Sequence, residues 1–178
     1  MILEETLNKL IRDTVNLVLD IPDYAIKAKQ DGPRPTGSYC DVDFLSDTSI
    51  GWEQRNLVDN IADPDIEESI TGARQIVMSL GFYRDDSMDN ARRVRTALYR
   101  QSVKDLFRAA DIGLASRSEI RDISEVLENA WEKRSQFDIV LNAVGTDVDI
   151  IRSILAVSIS GNFETRGKSI PINVEVVT

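Results

Sequence analysis

Hydrophobic residues recur along this chain with two periods. Leu3, Leu7, Leu10, Ile11, Thr14 and Val18 fall at helical spacing, with Glu4 and Glu5 at the end where the helix dipole favours anions. They predict an amphipathic helix over residues 2–19, stopped by Asp20-Ile21-Pro22. Period two follows. Tyr24, Ile26 and Ala28 alternate with Ala25, Lys27 and Lys29 as a short strand. The turn-rich run Gln30 to Gly37 comes next, with Arg34 held extended between Pro33 and Pro35. From Ser38 to Leu45 a strand puts Cys40, Val42 and Phe44 on one face and Tyr39, Asp41 and Asp43 on the other. Residues 46–66 show no clean period and predict a long loop or irregular hairpin, anchored by Trp52, Leu57, Val58 and Ile61. Ile70, Ile76, Met78, Leu80 and Phe82 then share one face of a long strand, with Gly72 marking a bend or bulge.

The helical period returns after the turn Tyr83 to Ser87. Ala91, Val94, Leu98, Tyr99, Val103, Leu106, Phe107 and Ala110 predict one helix over residues 88–110, ended by Asp111-Ile112-Gly113. A short strand is expected from Ile112 to Ile120, and a polar turn or short helix from Asp122 to Asn129. The clearest strand runs from Trp131 to Val144. Phe137, Ile139, Leu141 and Ala143 alternate with Gln136, Asp138 and Asn142, and Val140 and Val144 interrupt the polar side. That pattern fits a strand central to a sheet, covered in part on both faces. A turn at Gly145-Thr146-Asp147 is expected to follow, then a strand carrying Ile151, Leu155, Val157 and Ile159. A hairpin-like excursion between Gly161 and Lys168 leads to a last strand with Ile172, Val174 and Val176. The element order predicts a single α+β domain in which a mixed, mostly antiparallel sheet packs against two helices.

Composition narrows the chemistry. The chain has 178 residues, enough for one substantial core, and is 42 % hydrophobic and 29 % charged, as in ordinary globular proteins. No apolar run approaches the roughly 20 residues that span a bilayer, and Met1 to Glu5 lacks a signal-peptide pattern. With Cys40 the single cysteine, folding in a reducing cytoplasm is the expectation. The sequence contains no histidine, so the commonest general base, the commonest transition-metal ligand and any Ser-His-Asp triad are excluded. Thiolate zinc sites fall with the lone cysteine. There is no P-loop and no Gly-x-Ser-x-Gly elbow, and Arg166-Gly167-Lys168-Ser169 lacks the preceding glycine of the former. No cofactor is implied.

Three charged constellations remain. Asp41 and Asp43 share a strand face and could help hold a hard divalent cation, but two carboxylates alone read better as a solvated face. The acidic run Asp59, Asp63, Asp65, Glu67 and Glu68 lacks the order and glycine of a calcium loop and reads as a mobile acidic loop. Residues 91–108 carry Arg92, Arg93, Arg95, Arg100, Lys104 and Arg108 against Asp105, a balance of +5 inside a chain of −9. Arg100, Lys104 and Arg108 are four apart and share a helix face. Such a face docks an acidic surface, on a partner or on another copy, or is simply solvated; DNA stands behind both because the overall field opposes it. Trp131, beside Glu132, Lys133 and Arg134, reads as a packing anchor at the strand entrance, with a cation–π role the lesser alternative.

Taken together, the chain resembles the tail-terminator, or neck, proteins of tailed bacteriophages and related contractile particles. The likeness rests on Gly32-Pro33-Arg34-Pro35 followed by Tyr39 and a strand, on Leu80-Gly81-Phe82-Tyr83 leading into the helix that closes before Ile112-Gly113-Leu114, and on Trp131-Glu132-Lys133-Arg134 opening an alternating strand. The resemblance implies a virion structural protein rather than an enzyme: a hexameric ring that caps the tail tube, and a sheath where one exists, ends tail growth and meets the head-completion proteins. DNA passes through such a ring as cargo. On charge and loop character, Arg34, Arg93, Arg100, Lys104, Arg108, Arg166 and Lys168 are the expected interface, and Asp59, Asp63, Asp65, Glu67 and Glu68 the expected channel lining. The alternatives are a small assembly adaptor or chaperone outside the particle and, further off, a divalent-metal enzyme using Asp41 and Asp43.

Overall fold

The computed structural model describes residues 4–59, 65–127, 130–152, 156–165 and 168–177. The chain runs α1 (Glu4–Leu19), β1 (Ala25–Lys27), β2 (Tyr39–Asp59), β3 (Asp65–Tyr83), α2 (Ser87–Ala97), α3 (Gln101–Ala109), β4 (Gly113–Arg117), β5 (Arg121–Asp122), β6 (Glu125–Leu127), β7 (Ala130–Glu132), β8 (Arg134–Arg152), β9 (Ala156–Thr165) and β10 (Lys168–Val177). The fold is α+β with a mixed, mostly antiparallel sheet. Its strand order is β1-β2-β3-β8-β4, with β5 also on β8. β1 runs parallel to β2, whereas β4 and β5 run antiparallel to β8.

Contacts divide the chain into two compact units, Met1–Glu53 with Thr71–Thr146, and Gln54–Ile70 with Asp147–Thr178. The core of the first lies between the helices and one sheet face. α1 contributes Leu7, Ile11, Val15 and Leu19, and the strands contribute Cys40, Val42, Ile76, Met78, Leu80, Phe82, Phe137, Ile139 and Leu141. Phe82 and Phe137 stack in it with ring centroids 5.9 Å apart. Two polar side chains in this core are anchored by their amide groups. Asn8 donates to the Val42 carbonyl at 3.1 Å, and Asn90 donates to the Tyr24 hydroxyl at 3.0 Å. Burial lifts the Tyr24 phenol to about 12, so it stays neutral. The second unit includes β9 and β10, an antiparallel pair that sets Val157 opposite Val176 and Ile159 opposite Val174.

The opposite face of β3 and β8 carries a polar network. Gln136 donates to Ser79 Oγ at 2.5 Å, Ser79 donates to Asp138 at 2.7 Å, and Arg121 pairs with Asp138 at 2.7 Å. The alternation read from Phe137 to Ala143 is therefore real on both sides: apolar positions are buried and Gln136 and Asp138 bond across the sheet.

Four local expectations need correction. The helix expected over 88–110 is two helices. At its break the Tyr99 N–H donates to Thr96 and the Arg100 N–H to Ala97, and Arg100 is extended at φ −67, ψ 145. That tightening frees the Arg95 carbonyl, which the Arg117 guanidinium takes while lying 4.1 Å from the Tyr99 ring centroid. Of the loop or irregular hairpin expected over residues 46–66, the loop falls: residues 46–58 continue β2, which neighbours β3 in the sheet, and they showed no period because every position from Leu45 to Val58 is exposed. Gly145-Thr146-Asp147 is not a turn; β8 runs through it. A Cβ on Gly145 would sit 2.6 Å from Arg74 Cδ, so this glycine makes room for a crossing side chain instead of reversing the chain. Finally, the stretch from Asp122 to Leu127 is not a helix: β5 takes in Asp122, and β6 pairs antiparallel with β7, with Val126 opposite Trp131; Glu128 and Asn129 lie outside the described residues.

Candidate functional site

Carboxylate Glu132, 9 % exposed, organises one end of the sheet in the first unit. Arg134 donates to it through Nε at 2.6 Å and pairs again through Nη2. Arg34 reaches it at 3.4 Å and Arg84 at 3.5 Å. Arg134 also pairs with Glu125 at 2.6 Å. The Tyr83 ring lies within 5.7 Å of the Arg34 guanidinium and 5.3 Å of that of Arg134. The same ring stacks on Tyr39, with centroids 4.5 Å apart and planes at 6°. The Tyr83 hydroxyl donates to Asp41 at 2.9 Å, and the Gly81 N–H donates to the same carboxylate at 3.1 Å. Arg84 additionally donates to the Gly37 carbonyl at 3.0 Å, which pins the far end of the proline loop.

This node joins the sequence segments that are most distinctive: Gly32 to Tyr39, Leu80 to Tyr83, and Trp131 to Arg134. Arg34 and Glu132 are 98 residues apart in sequence. Extended backbone at Pro33 and Pro35 projects Arg34, the end of β3 presents Tyr83, and the step from β7 to β8 presents Glu132 and Arg134. The short break at Lys133 is held by the Arg84 N–H donating to the Lys133 carbonyl at 2.7 Å.

Electrostatics fit a latch rather than a reactive centre. Burial pushes the Glu132 carboxyl up, but Arg134, Arg34 and Arg84 outweigh it and hold it below the ordinary carboxylate range. Burial raises Asp41 despite the bonds from Tyr83 and Gly81, and burial together with Asp41 raises Tyr83 further. Asp43 pairs with Lys29 at 2.9 Å. Among the described residues, no three or more Asp, Glu, Cys or His side chains gather as a metal site. Cys40 is fully buried, which pushes its thiol well up.

One prediction follows from the fit of Gly81. A Cβ there would lie 2.3 Å from Asp41 Oδ1, so Gly81→Ala displaces Asp41 from Tyr83. The expected loss is about 2 kcal/mol, measured by urea unfolding; an unchanged midpoint would show that the carboxylate moves freely.

The basic helical stretch is divided by the break at Leu98 to Arg100. Arg92 pairs with Asp89 and Arg108 with Asp105, each at 3.0 Å on exposed surface, and Arg95 bonds Glu119 and the Ser118 carbonyl. Arg93 and Arg100 are exposed and make no ion pair among the described residues. Lys104 lies 5.7 Å over the half-exposed Tyr99 ring. Arg100 is the extended residue before α3, and Lys104 and Arg108 lie on α3. Beneath it is an open hollow of about 420 Å³ lined by Tyr99, Lys104, Phe107, Arg108, Asp111, Ile112, Gly113 and Leu114.

Of the expected acidic lining, Asp59 ends β2 and Asp65 begins β3, and Glu67 is exposed. Glu68 is buried and paired with Arg55. Asp63 lies outside the described residues, as does Arg166 of the expected interface, while Lys168 opens β10.

Trp131 corrects the packing reading: it is 73 % exposed and faces solvent. Beside it Val126 is 56 % exposed and Leu127 37 %. Sequence reasoning missed this surface because it took Asp122 to Asn129 as a linker. The signal available was Val126 and Trp131 flanking Glu128-Asn129 at hairpin spacing.

The family model described as phage neck terminator protein matches residues 2–166 of the chain. No curated protein matches it.

Proposed function

The chain belongs to the phage neck terminator protein family and is thus a structural component of the virion neck, and on that premise we propose that it caps the tail tube as a hexameric ring. In this reading the whole chain acts as one terminator domain. The ring ends growth of the tube, and of a sheath where one exists, and offers its other side to the head-completion proteins. The observation that carries the reading is the extent of the family match, residues 2–166, which takes in segments of both compact units. The latch at Glu132 supports it, because the side chains that look most reactive are spent on holding loops in place. Among the described residues, no helix is long and apolar enough to cross a membrane.

Arg34, Arg93, Arg100, Lys104, Arg108, Arg166 and Lys168 supply the interfaces. Arg34 acts indirectly, by fixing the proline loop. Asp59, Asp63, Asp65 and Glu67 line the channel, with Glu68 steadying that strand through Arg55. An acidic lining lets DNA slide without adhering, since it cannot release counterions from the phosphates. Head-to-tail repetition of one interface closes a ring of this kind.

Electron microscopy of particles made with and without the chain tests the role. Overlong or headless tails are expected in its absence, and normal particles would refute termination. Neutralising Asp59, Asp65 and Glu67 together should leave ring assembly intact and slow DNA passage; unchanged passage would remove the lining from the proposal.

A further inference from the structure

The proline loop is built like a hinged strap. Gly32 and Gly37 bound it, and a Cβ added at either would meet nothing within 4 Å. Glycine turns freely about its backbone, and here there is room to do so. Between the two, Pro33 and Pro35 fix their own φ and Pro35 holds Arg34 extended, so the crown moves as one stiff piece. Little else holds it. Among the described residues, no backbone–backbone hydrogen bond involves residues 29–38. None of these residues is buried, and only Pro35 is partly covered. Few apolar contacts and few backbone bonds mark a segment of low local stability.

Arg34 is what closes the strap. Between the two glycines it alone makes a side-chain bond among the described residues. Its guanidinium meets Glu132 at 3.4 Å and Tyr39, and lies 5.7 Å from the centroid of the Tyr83 ring. The contact is looser than that of Arg134, which donates to the same carboxylate at 2.6 Å and is 15 % exposed against 49 % for Arg34. Arg84 is the third guanidinium, and it also holds the Gly37 carbonyl at the end of the strap. One carboxylate thus faces three cations. Losing Arg34 leaves Glu132 compensated by the other two, so release breaks a half-exposed ion pair and strands no buried charge. A hollow of about 290 Å³ is lined by strap residues together with Ile26, Tyr39 and Asp41.

We propose that residues 32–37 are a strap that opens and closes about Gly32 and Gly37, with Arg34 on Glu132 as its clasp. Closed, it shuts the hollow and neutralises Arg34. Open, it carries an uncompensated guanidinium into solvent and uncovers Tyr39 and Asp41, while Arg84 and Arg134 keep the rest of the latch in place. The equilibrium responds to salt, because a half-exposed pair is screened once the Debye length falls to about 3 Å at about 1 M. The device belongs to the single chain and stands independently of the ring.

Spin labels at Thr36→Cys on the strap and Asp13→Cys on α1 report its position by pulsed dipolar spectroscopy; Cys40 is buried and stays unlabelled. At low salt the otherwise wild-type chain should give one narrow distance distribution. Adding Arg34→Ala should broaden it by on the order of 10 Å, the reach of a few extended residues, while the melting temperature falls only slightly. Alanine at both Gly32 and Gly37 on top of Arg34→Ala should narrow it again, since the hinges are then gone. Salt at about 1 M should broaden the wild-type distribution and leave that of Arg34→Ala where it was. A wild-type distribution already as broad as the variant's would mean that no closed strap exists and overturn the proposal. So would a variant as narrow as the wild type, because Arg34 would then hold nothing. If Arg34→Ala unfolds the chain, the salt series on the wild type decides: broadening upholds the strap, and an unchanged distribution refutes it.

Discussion

Glu132→Ala lowers the stability of this protein by about 3 kcal/mol, seen as a reduced urea midpoint with an unchanged slope. Its carboxylate is buried and meets Arg34, Arg84 and Arg134, whose side chains are 49, 30 and 15 % exposed. Removing the anion leaves Arg134 enclosed without its main counter-charge, while Arg34 and Arg84 turn to water. That asymmetry places the loss at the lower end for a broken buried pair. Glu132→Gln keeps the shape and some hydrogen bonds and should cost less. The pH dependence separates charge from packing. The carboxyl is held below its ordinary value of 4.5 in the folded state. Its contribution is therefore complete above that value and is lost as pH falls through the lower folded one. Asp41 works the other way. Its folded value is raised, so its charged form weighs against folding above that value, and acid relieves this. Glu132→Gln should thus flatten the acid-side fall in stability seen in the wild type. An acid limb as steep in the variant as in the wild type would mean that the three arginines do little for the fold.

How much of this was readable from the chain depends on where burial acts. Strands with one covered face announced themselves: Phe137 to Ala143 and Ile76 to Phe82 alternate because the core selects every second side chain. The strand past Leu45 did not, because its residues to Val58 are exposed on both faces and nothing selects a period there. The helix break at Tyr99 was hidden for another reason. Leu98, Val103 and Phe107 keep apolar spacing across it, and the group that stabilises the break, Arg117, comes from β4. Glycine misled at Gly145, where its lack of a side chain serves Arg74 and not a turn. The latch was visible only as three short motifs. That Arg34, Tyr83 and Glu132 meet is a property of the strand order β2-β3-β8, which no local pattern encodes.

Trp131→Ala should leave the free chain nearly as stable as the wild type and cripple its assembly. The side chain is 73 % exposed, and its described pairing is with Val126 across the hairpin. A cross-strand pair of this kind contributes about 0.5 kcal/mol, so the melting temperature moves by little. Covered by a neighbouring copy in the proposed ring, an exposed tryptophan of this kind ranks with the residues that dominate binding, where truncation costs about 2 kcal/mol or more. The equivalent drop in affinity is roughly thirtyfold per contact. In a ring the loss recurs at every joint, so the variant should fail to compete with the wild type for incorporation into tails long before its folding is compromised. Quantifying both chains in tails assembled from a mixture, alongside thermal unfolding of each, gives the two readouts. A variant that unfolds early yet incorporates in proportion to its concentration would assign Trp131 to packing, and the exposed hairpin would then need another explanation. Normal stability with exclusion from tails would identify an aromatic that does nothing for the monomer and is present for the neighbouring copy.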